Sequence, residues 1–101
     1  MPPQFRREDL TVDETFIDDD GAEYPVRMVE PEDVTFTSEV MTCIFADGHL
    51  TVVHRSDIGE LGVNPYTKMP VLVSNDGVSI SMPEHLDTQT AVRWFKRGKA
   101  R

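Results

Sequence analysis

Three Asp-Gly pairs divide this sequence of 101 residues into short apolar runs, and they constrain the fold more than any other feature. The pairs are Asp20-Gly21, Asp47-Gly48 and Asp76-Gly77. An Asp-Gly pair between apolar runs is typical of a tight type I′ turn, because both central residues of that turn need a positive φ, which Gly adopts freely and Asp tolerates. The sequence therefore predicts three β-hairpins.

Placing each Asp-Gly pair at the two central turn positions sets the predicted register of each hairpin. The predicted opposing pairs are Ile17 with Tyr24, Cys43 with Val52, Met41 with His54, and Val73 with Ile80. In the middle hairpin this register turns Leu50 and Val52 toward the core together with Cys43. The last hairpin is interpreted as a strand pair with one face in solvent. Pro25 places the return strand of the first hairpin at a sheet edge, because proline cannot donate a backbone hydrogen bond.

The segments between and after the hairpins give weaker predictions. Residues 34–37 are expected to begin a long strand that continues into residues 39–45, and residues 56–70 are expected to form a loop with one helical turn. Residues 87–97 predict a helix that begins at Asp87 or Thr88. Its apolar side chains fall on one broad face, as a helix that packs on a sheet requires.

These elements predict a mainly β fold, a small barrel or two-layer sandwich of about three hairpins with one C-terminal α-helix. The expected organisation is an N-terminal arm at residues 1–12, a single domain at residues 13–97, and a basic tail at residues 98–101. The three hairpins share their Asp-Gly turns, but the side chains around the turns do not match, so no internal repeat is inferred.

Opposite charges are segregated along the chain. The formal net charge is −8, and all 18 acids lie at or before Asp87, while five of the ten bases lie in the last nine residues. Charge distribution reports on partners and solubility rather than on fold. We therefore expect two partner-binding regions. The basic one comprises Arg93, Trp94, Lys96, Arg97, Lys99 and Arg101, and the acidic one comprises Asp18, Asp19, Asp20, Glu30, Glu32 and Asp33.

No residue pattern predicts catalysis, a metal or a cofactor. The three histidines and Cys43 lack the short spacings of metal sites, and the Asp-rich turn before Gly21 has Arg27 where an EF-hand loop needs glutamate. No nucleophile elbow surrounds a serine and no phosphate-binding glycine loop is present. Cys43 is expected in the core, where burial suppresses thiolate formation. The protein is therefore expected not to be an enzyme.

The function predicted from these features is that of a non-enzymatic protein-interaction module, a small structural or accessory subunit of a larger assembly such as a virion. A protein partner or a second copy of the chain is the expected contact. Two alternatives remain open: an acidic inhibitor that mimics DNA on a basic host protein, and a weak nucleic-acid binder through the basic tail. One unpaired cysteine, no apolar segment of membrane-spanning length and no secretory signal favour an intracellular location or an assembly formed inside a cell.

Overall fold

The computed structural model describes residues 5–99, and the side chains of residues 5–97. Short 3₁₀ turns lie at Arg7–Asp9 and Arg55–Asp57. The strands and the helix of the described residues are β1 (Leu10–Ile17), β2 (Glu23–Val29), β3 (Asp33–Phe36), β4 (Val40–Ile44), β5 (Leu50–His54), β6 (Ile58–Val63), β7 (Pro70–Ser74), β8 (Val78–Ser81) and α1 (Thr88–Lys99).

The strands form two sheets. One sheet has the order β1-β2-β8-β7-β6, and the other has the order β3-β4-β5. Neighbouring strands run antiparallel except β2 and β8, which run parallel. Neither sheet closes into a barrel, so the arrangement is sandwich-like, and the predicted mainly β class with one C-terminal helix is confirmed.

Each predicted hairpin exists, but its turn is not of the predicted type. Gly21, Gly48 and Gly77 have φ values of 82°, 86° and 93°, whereas the one non-glycine residue with positive φ among residues 5–99 is Lys68. The aspartates before these glycines therefore do not occupy the left-handed region that a type I′ turn demands. Each glycine N–H instead bonds the carbonyl three residues earlier. This geometry is a three-residue loop, a type I turn followed by a left-handed glycine that forms a bulge.

The extra loop residue shifts the register of all three hairpins by one position, so the predicted pairs were wrong. The observed pairs include Phe16 with Tyr24, Cys43 with Thr51, and Leu72 with Ile80. A shift of one residue exchanges the two faces of a strand. In β5 it turns Val53 inward, while Leu50 and Val52 are 56% and 52% exposed. His54, which was predicted to pair with Met41, is also exposed.

The last hairpin lies inside the sheet instead of facing solvent. β8 has β2 on one side and β7 on the other, and β6 covers the far edge of β7. Leu72 and Ile80 are fully buried. Burial on this scale is expected of a central strand pair, whose faces are covered by other elements.

Two elements were not predicted. Residues 33–44 form a hairpin rather than one long strand, and its turn is closed by the bond from the Thr37 N–H to the Val40 carbonyl at 2.9 Å. Residues 58–63 form strand β6 where a loop was expected. Gly59 fits there because a Cβ would lie 2.5 Å from Oδ1 of Asn75. Glycine in a strand often marks such a close approach.

The C-terminal helix agrees with its prediction and completes the core. Asp87 caps α1, since its Oδ1 accepts a bond from the Gln89 N–H at 3.1 Å. Ala91, Trp94 and Phe95 of the helix join one buried cluster with side chains from both sheets. The strand members of that cluster include Val29, Val34, Met41, Cys43, Val53, Ile58, Leu72, Val78 and Ile80.

Candidate interaction surfaces

The first hairpin extends beyond the sheet that carries it. β8 pairs with β2 only at Arg27–Val29, so among the described residues no third strand lies beside residues 13–26 of the hairpin. We call residues 13–26 the arm, which is a different segment from the N-terminal arm predicted at residues 1–12. Four to five residues of each strand project freely, which is about 15 Å at roughly 3.4 Å per residue.

The arm exposes large apolar side chains. Phe16, Tyr24 and Val26 are 59%, 49% and 42% exposed, and the register places all three on one face. Ile17 is 61% exposed on the opposite face. Single exposed apolar residues are common, but a group gathered on one projecting element marks an interaction site.

The tip of the arm is acidic and ordered by its own hydrogen bonds. Oδ1 of Asp18 accepts bonds from the N–H groups of Asp20 and Ala22, both at 2.9 Å. A side-chain hydrogen bond from Tyr24, with these backbone bonds, lowers the pKa of Asp18. The Asp18 carboxylate thus stabilises the turn through its hydrogen bonds, while Asp19 and Asp20 are exposed to solvent.

A basic groove lies between the β3–β4 turn and α1. It has a volume of about 490 Å³ and is lined by Phe36, Thr37, Ser38, Thr90, Arg93, Trp94 and Arg97. Arg93 and Arg97 are four residues apart, so both project from the same face of the helix. We call this feature the Arg93–Arg97 groove.

The floor of this groove is fixed by Trp94. Its Nε1–H donates to the Thr37 carbonyl at 2.8 Å, and its ring lies 5.2 Å from that of Phe36. Arg55 places its guanidinium 5.8 Å from the Trp94 ring and donates to the Trp94 carbonyl at 3.4 Å. These contacts hold α1 against the β3–β4 turn, so the two arginines project from a rigid base.

The predicted basic region is therefore divided by the structure. Trp94, which we expected to bind a partner, is only 4% exposed and belongs to the core. Arg93, Lys96 and Arg97 are exposed. Among the described residues, Arg93 pairs with Asp87 at 3.8 Å, and no ion pair holds Lys96 or Arg97. Arg101 and the side chain of Lys99 lie outside the described residues.

The predicted acidic residues beyond the arm are not gathered with its tip. Glu30 and Glu32 are exposed in the connection from β2 to β3. Asp33 lies 3.0 Å from Nε2 of His85, and this contact, together with the Val34 N–H, lowers the pKa of Asp33. Asp33 is thus engaged within the chain, whereas the two glutamates are available to solvent.

A polar cluster that the sequence did not reveal fastens the N-terminal segment to the β4–β5 turn. Asp9 is 7% exposed and accepts bonds from the Arg6 N–H at 3.0 Å and from Arg6 Nη2 at 3.1 Å. Arg6 also reaches Asp47 at 2.7 Å and lowers its pKa. Nε2 of His49 lies 3.3 Å from Asp9 and 3.1 Å from Oγ1 of Thr51. The i, i+3 spacing of Arg6 and Asp9 is too common to predict this arrangement.

Histidine and carboxylate side chains in residues 5–97 meet in pairs, His49 with Asp9 and His85 with Asp33. No group of three His, Cys, Asp or Glu side chains in this part of the chain could hold a metal ion. Cys43 is fully buried, and burial, with a smaller contribution from Asp9, raises the pKa of its thiol to about 12. A thiol in such surroundings is a weak nucleophile.

No family model, curated protein or solved structure matches the chain at a significant level. Within the described residues, no helix has the length and apolar character that crossing a membrane requires.

Proposed function

We propose that this protein is a non-enzymatic interaction module, a small structural or accessory subunit of a larger assembly, and that the arm is its docking element. The observation that carries the proposal is the exposure of Phe16, Tyr24 and Val26 on one face of the arm, the part of the first hairpin that pairs with no other described strand. A chain of this size has few apolar residues to spare from its core. Keeping three of them in solvent makes physical sense if a partner covers them.

The free strand edges of the arm support the same proposal. β1 is the edge strand of its sheet, and residues 23–26 of β2 pair with no strand of residues 5–99 on their outer side. Unpaired backbone N–H and C=O groups offer hydrogen bonds to another chain. The acidic tip makes such contact selective, because its carboxylates repel the acidic surfaces of other proteins.

A second candidate function is binding of nucleic acid through the Arg93–Arg97 groove. Two arginines on one helix face favour it, since guanidinium groups bind phosphates. Trp94 is the floor of the groove and is buried, so it cannot stack on a base in the way that single-strand binding requires. The net charge of −8 also opposes approach of a polyanion. We therefore favour a protein partner.

Site-specific photo-crosslinking in cells that make the protein tests the proposal. A benzophenone amino acid replaces Phe16 in one variant and Tyr66 in the matched control, because Tyr66 is an aromatic residue outside the arm and is 92% exposed. We expect discrete adducts with protein, identified by mass spectrometry, from position 16 and none from position 66. Equal labelling at the two positions, or no adduct at position 16, would contradict the proposal.

A further inference from the structure

The acidic arm and the basic groove carry opposite charges on separate parts of one molecule. Residues 13–26 contain six acids and no base: Asp13, Glu14, Asp18, Asp19, Asp20 and Glu23. Helix α1 contains four bases and no acid. No arm residue lines the Arg93–Arg97 groove, so the described structure does not neutralise one with the other.

We propose that the Arg93–Arg97 groove of one molecule receives the arm tip of a second copy of this chain. This inference rests on the proposed function and names the partner. Asp19 and Asp20 at the tip would face Arg93 and Arg97, which can form charge-assisted bonds with carboxylates. The exposed ring of Phe16 would follow the carboxylates along the arm and contact the apolar rim of the groove at Phe36.

The two surfaces fit in chemistry as well as in charge. The groove offers arginines on its helical wall and the hydroxyl groups of Ser38 and Thr90 among its other lining residues, whereas the Thr37 hydroxyl is already bonded to the backbone of Val40. Hydroxyl groups can donate to carboxylates that the arginines leave unsatisfied. The long pair between Arg93 and Asp87, both well exposed, is a weak competitor for the incoming acids.

Contact between different surfaces of identical molecules has a consequence for assembly. Such a heterologous contact leaves one arm and one groove unused at the ends of every open complex. Molecules therefore add head to tail, into a ring if the rotation closes and into a filament if it does not. Because charged groups at the rim control this contact, added salt weakens it.

Sedimentation velocity of the purified full chain over a range of concentrations tests the inference. We expect concentration-dependent association that weakens as salt is added. The groove variant Arg93→Glu with Arg97→Glu and the tip variant Asp19→Lys with Asp20→Lys should each lower the association constant by more than about tenfold. The matched control, Arg7→Glu with Lys68→Glu, makes the same charge change as the groove variant at exposed bases elsewhere and should associate like the original chain.

Mixing the two reversed variants gives the sharpest result. Within each variant the tip and the groove carry like charges, so copies of one variant repel each other. In the mixture, the lysine tip of one variant faces the glutamate groove of the other, and the original acidic tip faces the original arginine groove. We expect the equimolar mixture to recover association. The neutral variant Arg93→Gln with Arg97→Gln, which avoids placing negative charge near the C-terminus of the helix, should lose association alone. Mixed with the tip variant, it should recover only the pair formed by the two original surfaces and no larger assembly.

Three results would overturn the inference: an original chain that is monomeric at every concentration, reversed variants that associate like the original, or a mixture that stays dissociated. Binding of a single-stranded oligonucleotide that the groove variant abolishes, with no self-association, would assign the groove to a polyanion instead. A monomeric chain whose position 16 still crosslinks to a different protein would leave the proposed function standing and remove only this inference.

Discussion

Two hairpins with the same turn chemistry have opposite environments in this molecule. The arm and the β7–β8 hairpin both close through a three-residue loop that ends in a left-handed glycine. Phe16 of the arm is 59% exposed, whereas Leu72 and Ile80 of β7–β8 are fully buried. The turn therefore determines where the chain reverses and in which register, and the neighbouring elements determine what is buried. No other described strand pairs with residues 13–26, so the apolar face of the arm remains open to another molecule.

The largest expected difference between core and arm is in thiol reactivity. Cys43 is buried with a pKa of about 12, so it should react with a thiol reagent only after the domain opens. The thiol introduced by Val26→Cys on the exposed face of the arm should react at least about a thousandfold faster in native buffer. The rates are followed by mass spectrometry. Comparable rates at the two positions would mean that the arm is packed or that the core is open.

Truncating a side chain should lower the free energy of unfolding by several kcal/mol more in the β7–β8 hairpin than in the arm. Leu72→Ala removes a fully buried side chain and should lower the free energy of unfolding by about 2–5 kcal/mol. Phe16→Ala removes a larger but exposed ring and should change it by less than about 0.5 kcal/mol. Urea unfolding measures both. A large loss from Phe16→Ala in the isolated chain would show that the arm contributes to the core of its own molecule.

The glycines of the two turns offer a finer comparison. At Gly21 and Gly77 a Cβ would meet no atom within 4 Å, so substitution by alanine costs only the strain of a left-handed backbone. Gly77→Ala should lower the free energy of unfolding by about 1–2 kcal/mol. Gly21→Ala should cost less, because the arm tip can open locally and relieve the strain. Urea midpoints of the two variants decide this, and equal losses would show that the tip unfolds together with the core.

The smallest expected difference is in acid stability. Arg6 lowers the pKa of Asp47, and Tyr24 lowers that of Asp18, each from an ordinary value of 3.8. A lowered pKa contributes stability above the ordinary value, and this is lost as pH falls through the lower, folded-state value. In the Asp47→Asn variant the free energy of unfolding should therefore fall less steeply as the pH decreases below about 4.

Asp18→Asn provides the comparison for this acid effect. Its contacts lie within the arm, which we expect to open without the core, so Asp18→Asn should flatten the global acid profile less than Asp47→Asn. Urea unfolding at a series of pH values measures both variants. A larger effect from Asp18→Asn would place the arm in the cooperative unit.

Parts of the fold could be predicted from local chemistry. Asp-Gly pairs located three of the hairpins, and the cap at Asp87 located the helix. The register could not be predicted from these signals, because the same pair fits a two-residue or a three-residue loop, and one residue reverses the faces of a strand. Leu50 and Val52 were assigned to the core for this reason, although both are exposed.

The remaining differences arise from contacts between distant residues. The turn at Thr37 contains no glycine or proline, and β6 owes its place to β7, so neither had a local signal. At the candidate surfaces the charged residues were predictable from their segregation. The arm could be recognised only from the sheet order, in which β8 pairs with the base of β2 and no other described strand pairs with residues 13–26.

Disulfide trapping between two differently substituted chains tests most directly whether the arm docks in the Arg93–Arg97 groove. One chain carries Asp19→Cys at the arm tip, and the other carries Ser38→Cys at the groove, while Cys43 is buried in both. Under mild oxidation of an equimolar mixture, we predict an intermolecular disulfide that forms at least about tenfold faster than with Tyr66→Cys as the second site, because docking raises the effective concentration. Equal rates for Ser38→Cys and Tyr66→Cys would contradict the account.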